Sequence, residues 1–180
     1  MVSNLPYCIS TDLLISLLEL PWPVERMVLT VQEEFADRLL ARPGSRDYSP
    51  LTVLLGAQAR VEPLRRLPPA VFWPVPRVNS TVLRILPDAE RRGRIADYGR
   101  FKALVAALFS QRRKTAAAAL RAMLRPRLPV DEVASALKDA GVGPLVRADA
   151  LGVSQIVALA NRLARPRTDR EGQQGDDGRA

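Results

Sequence analysis

Phe101, Leu104, Val105 and Leu108 recur at i, i+3, i+4 and i+7, the spacing of one helical face, and the helix formers of "AAAALRAML" (116–124) follow close behind. The pattern predicts one long helix. "PVDEVASALKDAGVG" (129–143) offers an acidic first turn and a glycine stop at Gly141, and "GVSQIVALANRLA" (152–164) sets Ile156, Leu159, Ala160 and Leu163 on one stripe behind Ser154 as N-cap. Upstream the period changes. "RMVLTV" (26–31) reads as a strand, and "QEEFADRLLA" (32–41) as the helix after it, with Phe35, Leu39 and Leu40 at helical spacing. "RPGSRDYS" (42–49) is a loop by its Pro, Gly and Ser. "PLTVLLGAQARVEPLRRL" (50–67) is rich in β-compatible residues, and "RVNSTVLRILP" (77–87) alternates Val78, Ser80 and Val82 against Asn79, Thr81 and Leu83.

Strand signals thus fill residues 1–88, the strand-rich part of an α/β sheet, and helical signals fill 98–165, a small all-α domain. Residues 89–97 are polar enough for a linker, and 166–180 carry no apolar periodicity and are expected to be disordered. The 180 residues, 47% hydrophobic, suffice for a core. No run approaches the roughly 20 apolar residues of a membrane span, and the first residues do not form a secretory signal, so no membrane partner and a cytoplasmic location are expected. A single cysteine, Cys8, and no histidine rule out an intrachain disulfide framework and argue against metal-hydrolase and Ser-His-Asp chemistry. No metal site is expected.

Charge adds a location. The chain carries a net +8, yet from Arg84 to Arg127 the basic positions 84, 91, 92, 94, 100, 102, 112, 113, 114, 121, 125 and 127 face only Asp88, Glu90 and Asp97. The entire excess lies in that segment, either as a solvated arginine-rich face or as a footprint for a polyanion.

"SNLPYCIS" (3–10) is the segment with candidate chemistry. The side-chain carbonyl of Asn4 and a backbone carbonyl fixed by Pro6 can both accept hydrogens from an exocyclic amine, while Tyr7 offers a flat face for a base. Adenine N6 is a poor nucleophile because its lone pair is delocalised into the ring. Two acceptors on its hydrogens favour the localised, pyramidal geometry as a methyl group approaches, a stabilisation specific to the transition state. The same four residues also suit an ordinary Asx-Pro turn with a packed tyrosine.

With these motifs the chain resembles the ribosomal RNA adenine N6,N6-dimethyltransferases over about residues 2–163. "NLPYCIST" is similar to that family's catalytic N-[LI]-P-[YF] loop, "VLTVQEEFADRL" to its M-x-Q-K-E-x-A-x-R strand and helix, and "VFWPVPRVNSTVLRI" to its F-x-P-x-P-x-V-x-S motif. "FSQRRKT" resembles the start of its helical domain, and "RADALGVSQIVALAN" its C-terminal run. The resemblance implies the C-terminal half of a Rossmann-like methyltransferase sheet followed by an RNA-binding helical domain. It also implies methyl transfer from the co-substrate S-adenosylmethionine to adjacent adenosines of small-subunit rRNA, met in the pre-30S particle, by an enzyme that is monomeric when complete.

Residue by residue, the resemblance gives Asn4 and Pro6 the alignment of the target amine, with Asn4 also beside the cofactor. Tyr7 would stack on one face of the flipped adenine and Phe72 on the other. Taken without the resemblance, Phe72 better suits a core position at a strand start, but the two prolines of "FWPVP" make an exposed rigid loop more natural than a core strand. Trp73 is expected to pack. At about 100° per residue Arg112 falls at the centre of the apolar stripe of Phe101, Leu104, Val105 and Leu108, where it needs a partner: a carboxylate or carbonyl of the catalytic part across the interdomain groove, the preferred reading, or RNA phosphate. Arg113 and Lys114 would point away toward RNA phosphate, with Arg121.

One departure from the pattern matters. The only glycines before residue 93 are Gly44 and Gly56, so the glycine-rich cofactor loop of the family has no counterpart here. The chain is expected to begin inside the family's fourth strand, with Met1 an internal codon or the gene truncated or split, and the isolated chain is expected to be inactive. A DNA adenine methyltransferase, or an RNA-binding assembly protein that keeps the fold without catalysis, are the alternatives.

Overall fold

The computed structural model describes residues 1–5, 10–19, 24–124 and 130–164. In chain order these form β1 (Val2–Asn4), α1 (Ser10–Glu19), β2 (Met27–Gln32), α2 (Glu33–Leu40), α3 (Pro50–Gly56), β3 (Ala59–Leu67) and β4 (Ser80–Pro87). There follow α4 (Ala89–Gly93), α5 (Tyr98–Ser110), α6 (Ala116–Leu124), α7 (Val130–Asp139) and α8 (Val153–Ala164), with 3-10 turns at Pro69–Val71 and Ala148–Ala150. The expected disordered tail, 166–180, lies outside the described residues, as do Pro6 and Tyr7.

The strands make one mixed sheet in the order β1-β2-β4-β3. β1 runs parallel to β2, with Asn4 beside Thr30, and β4 runs antiparallel to both β2 and β3. The alternation in the sequence sets which side is buried: Met27, Leu29 and Val31 of β2 and Leu83 and Ile85 of β4 face one core, while their neighbours are half-buried. Ala36 and Leu39 of α2 close over that core, together with Leu5 and Leu14.

The β-compatible run at 50–67 is only half a strand. Its first part is α3, a correction that local chemistry explains. Ser49 caps the helix, its hydroxyl accepting from the Thr52 amide and the Thr52 hydroxyl accepting from the Ser49 amide, with Pro50 preset for the first turn. β-branched and leucine side chains do not forbid a helix that is buried on every side. α3 is such a helix: Leu51 and Leu55 enter the sheet core, while Val53 and Leu54 enter a second core built with α5, α6, α7 and α8.

That second core holds the expected α5 stripe, Phe101, Leu104, Val105 and Leu108, all buried. It also holds Ile156, Leu159 and Ala160 of α8. Three local expectations change. The predicted long helix is broken at Gln111–Thr115, because Thr115 caps α6 through a bond from the Ala118 amide and pairs as an isolated bridge with Arg147. α8 begins at Val153, one residue ahead of Ser154, and the Gln155 side chain, not Ser154, accepts from the Gly152 amide. Residues 89–97 contain α4, capped by Asp88, and the buried Ile95. The Gly141 stop occurs as read, at φ 66°, with the Val142 amide bonded to Leu137 O at 2.8 Å. Gly56 allows the end of α3 to approach α8, since a Cβ there would sit 3.3 Å from the Val153 side chain.

Candidate active site and RNA-facing surface

β1, β2 and β3 point the same way, and β4 starts where they end. The carboxyl ends of β1 and β2 therefore share one end of the sheet with the β3–β4 connection, and open α/β sheets bind ligands at such ends. Asn4 is the last residue of β1 and is exposed there. The chain is fixed as it leaves the strand: the Leu5 amide donates to Thr30 O at 3.0 Å, and its side chain is buried. Leu5 thus holds Asn4 at a defined position without using the Asn4 side chain. Pro6 and Tyr7, which follow in the sequence, lie outside the described residues.

Phe72 sits in the β3–β4 connection, half-buried, immediately after the 3-10 turn at Pro69–Val71, with its amide bonded to Pro69 O at 3.1 Å. Both ends of this connection are tied to one residue, Glu33, at the start of α2. The Glu33 carboxylate takes an ion pair from Arg66 at 3.2 Å and a hydrogen bond from Asn79 Nδ2 at 2.9 Å, and the Glu33 amide donates to Asn79 O at 3.0 Å. Asn4 is beside Thr30, and Thr30 is beside Val82, so β1 and β4 are two strand spacings apart, about 10 Å. Phe72 and the exit of β1 accordingly border the same end of the sheet. Sequence reasoning did not single out Glu33, although its position in "QEEFADRL" one residue after β2 was a usable signal.

Trp73, expected to pack, is instead 93% exposed. Phe72 has extended backbone, φ −112° and ψ 152°, so the next side chain turns to the opposite side, away from the protein.

The basic segment divides into paired and open cations. Arg84 pairs with Glu62, Arg91 with Asp88, Arg94 with Glu90, Arg100 with Asp97 and Lys102 with Glu19, and Arg92 lies over the Tyr98 ring at 3.7 Å. The Arg91 amide, reinforced by Arg60 and Arg91, holds the Asp88 carboxyl below its usual range against a smaller opposing effect of desolvation. The hydrogen bond from Lys102 does the same for Glu19. Arg113, Lys114 and Arg121 are exposed and have no ion pair among the described residues. Arg113 and Lys114 stand in the α5–α6 break and Arg121 on α6.

Arg112 also lies in the break, not on the α5 stripe, so the angular argument for it does not apply. Its Nε donates to Asp149 Oδ2 at 3.0 Å and its Nη2 to Ser45 O at 2.8 Å. Two further bonds join the same segments: the Gly44 amide to Asp149 O at 2.8 Å and the buried Tyr48 hydroxyl to Leu151 O at 2.8 Å. Burial pushes the Tyr48 phenol up to about 12. Asn161 makes a similar tie, donating to Arg94 O and accepting from the Ala96 amide. Tyr48, an aromatic in an otherwise polar loop, was a visible signal; Asp149 and Asn161 stood in the run "RADALGVSQIVALAN" without a role of their own.

Among the described residues no group of three or more His, Cys, Asp or Glu could hold a metal ion, and no helix is long and apolar enough to cross a membrane. Among the described residues no glycine-rich turn follows a strand.

Residues 1–165 match the family model described as ribosomal RNA adenine dimethylase. A protein of Halothermothrix orenii named ribosomal RNA small subunit methyltransferase A is 39% identical over 162 residues, 90% of this chain and 54% of that protein. One of the same name from Acidobacterium capsulatum is 40% identical over 162 residues, covering 90% of this chain and 56% of that protein. The chain therefore spans about half the length of these relatives. The crystal structure of a dimethyladenosine transferase from Plasmodium falciparum superposes with a TM-score of 0.77 at 24% identity, covering 88% of this chain and 64% of that one. This likeness is one of fold: the sheet and the helices that follow it share the α/β architecture of that structure.

Proposed function

Since the chain belongs to the ribosomal RNA adenine dimethylase family, we propose that it carries the acceptor-base side and the RNA-binding side of an enzyme that dimethylates N6 of adjacent adenosines in small-subunit rRNA. The observation that supports this reading is that Asn4 and the Phe72 loop border the same end of the sheet, at the carboxyl ends of β1 and β2. S-adenosylmethionine is the co-substrate of this reading, and Asn4 is the described residue nearest to where it would meet the base. The remainder of the donor pocket is not built by the described residues, so the chain's own part is to hold the acceptor.

In this reading the target adenine leaves its stack and lies between Tyr7 and Phe72. Asn4 Oδ1 and the carbonyl preceding Pro6 accept the two N6 hydrogens and direct the lone pair outward, which is the general route by which acceptors placed for the transition state raise a rate. Glu33 positions the Phe72 loop. Residues 1–88 form the catalytic part and 98–165 the helical part, where Arg113, Lys114 and Arg121 meet phosphate; Arg112 joins the two.

The test is transfer of labelled methyl groups to small-subunit rRNA by the protein that contains this chain, with and without Asn4→Ala. The expected result is a fall in turnover of about a hundredfold or more, the usual cost of losing a transition-state acceptor, with RNA affinity kept. Transfer unaffected by Asn4→Ala would remove the acceptor role. RNA binding and particle assembly with no transfer under any condition would favour the second reading, a non-catalytic RNA-binding protein, which the open cations of the α5–α6 break also suit.

A further inference from the structure

The β3–β4 connection places a large flat ring in solvent. Trp73 is 93% exposed and stands between Val71 and Val75, exposed by 58% and 63%. Tryptophan is the side chain that folding and binding most strongly draw out of water. The fold does not cover it, and the loop is poorly able to bend back: Pro68, Pro69, Pro74 and Pro76 restrict the backbone around the ring, and Glu33 ties down both ends.

Charge identifies the partner's chemistry. Between Leu64 and Pro87 there is no acidic residue, but Arg65, Arg66, Arg77 and Arg84 are present. Arg66 and Arg84 are paired with Glu33 and Glu62, whereas Arg65 and Arg77 are exposed with no ion pair among the described residues. A rigid exposed ring in a segment that carries open arginines and no acid suits a ligand that combines flat apolar faces with negative charge, which is the constitution of an unpaired nucleotide.

We propose that Trp73 is a stacking platform for an unpaired base next to the methylated adenosine. Phe72, half-buried, and Trp73, exposed, would then hold two bases of one strand on opposite sides of the loop. The inference rests on the rRNA reading above and adds to it a determinant for single-stranded substrate.

The experiment uses the 180-residue chain in a Trp22→Phe background, where Trp73 is the sole tryptophan. It is titrated with an RNA hairpin bearing unpaired adenosines in its loop and with a fully paired duplex of the same length. The hairpin is expected to quench Trp73 emission to saturation and the duplex to leave it unchanged. In the otherwise wild-type chain, Trp73→Ala is expected to weaken hairpin binding about tenfold without altering duplex binding, and Trp73→Phe to restore most of the loss. Equal hairpin affinity in Trp73→Ala, equal losses on hairpin and duplex, or Trp73-dependent self-association indifferent to RNA would each overturn the inference while RNA binding itself survives. Absence of binding to either RNA would remove the rRNA reading together with the inference.

Discussion

Replacing Arg112 by alanine removes two bonds at once, to Asp149 Oδ2 and to Ser45 O. The Arg112 side chain is 38% exposed and that of Asp149 17%. With solvent reaching the guanidinium, the ion pair itself is worth no more than about 0.5–1 kcal/mol. The bond from a charged donor to the Ser45 carbonyl adds about 1 kcal/mol or slightly more. The expected loss is therefore about 2 kcal/mol. At a urea dependence of about 1–3 kcal/mol/M, the unfolding midpoint falls by roughly 1 M. Arg112→Lys, which keeps the charge but not the two-pronged geometry, should recover about half of the loss. Asp149→Asn combined with Arg112→Ala completes a double-mutant cycle, and the coupling should be at least about 0.5 kcal/mol. A loss under about 0.5 kcal/mol for Arg112→Ala would show that the 44–49 segment is held without Arg112, and strict additivity in the cycle would show that the Arg112–Asp149 pair contributes nothing; either result would refute the reasoning.

Neutralising Arg113 and Lys114 to glutamine should flatten the log–log salt dependence of rRNA affinity by roughly one to two units with little effect on sequence preference, and an unchanged slope would make these cations ordinary solvated charge. Glu33→Ala removes the side-chain ties to Arg66 and Asn79 Nδ2 while keeping the amide bond to Asn79 O, and should loosen the Phe72 loop, seen as faster proteolysis between residues 68 and 79 and slower methyl transfer at unchanged salt slope; a loop equally resistant to cleavage would contradict the side-chain tether. Tyr48 ionises near 10 when unfolded and near 12 when folded. Its contribution is thus complete below pH 10 and is lost as pH rises toward 12, and Tyr48→Phe should flatten that alkaline fall in denaturation midpoint. The same decline in both proteins would assign it to other groups.

How far each feature was legible follows from how local its cause is. The β2 strand, the α2 helix, the α5 stripe and the Gly141 stop rest on side-chain period and on glycine's access to positive φ, both properties of a few consecutive residues, and they stand where the sequence placed them. α3 and the α5–α6 break were misread because capping by Ser49 and Thr115 competes with propensity, and a buried helix has no polar face to reveal its period. The motif order was sufficient for the family, since five short patterns in sequence constrain one another even where each alone is weak.

The sequence by itself determined the chemistry available: an amide and a proline at the end of a strand, an aromatic in a proline-rich loop, an excess of arginine after residue 84, and no histidine. Tertiary structure decided which of these groups meet and which remain free. Strand order brought the Phe72 loop to the end of the sheet where Asn4 lies, though 68 residues separate them. Ion pairing engaged Arg84, Arg91, Arg94, Arg100 and Lys102, the Tyr98 ring engaged Arg92, and Arg113, Lys114 and Arg121 were left open, a division that composition cannot express because each partner, from Glu19 to Asp149, comes from its own distance along the chain. The exposure of Trp73 was settled the same way: propensity favours burial, and only an extended residue before it, held by Glu33 and by prolines, turns the ring outward.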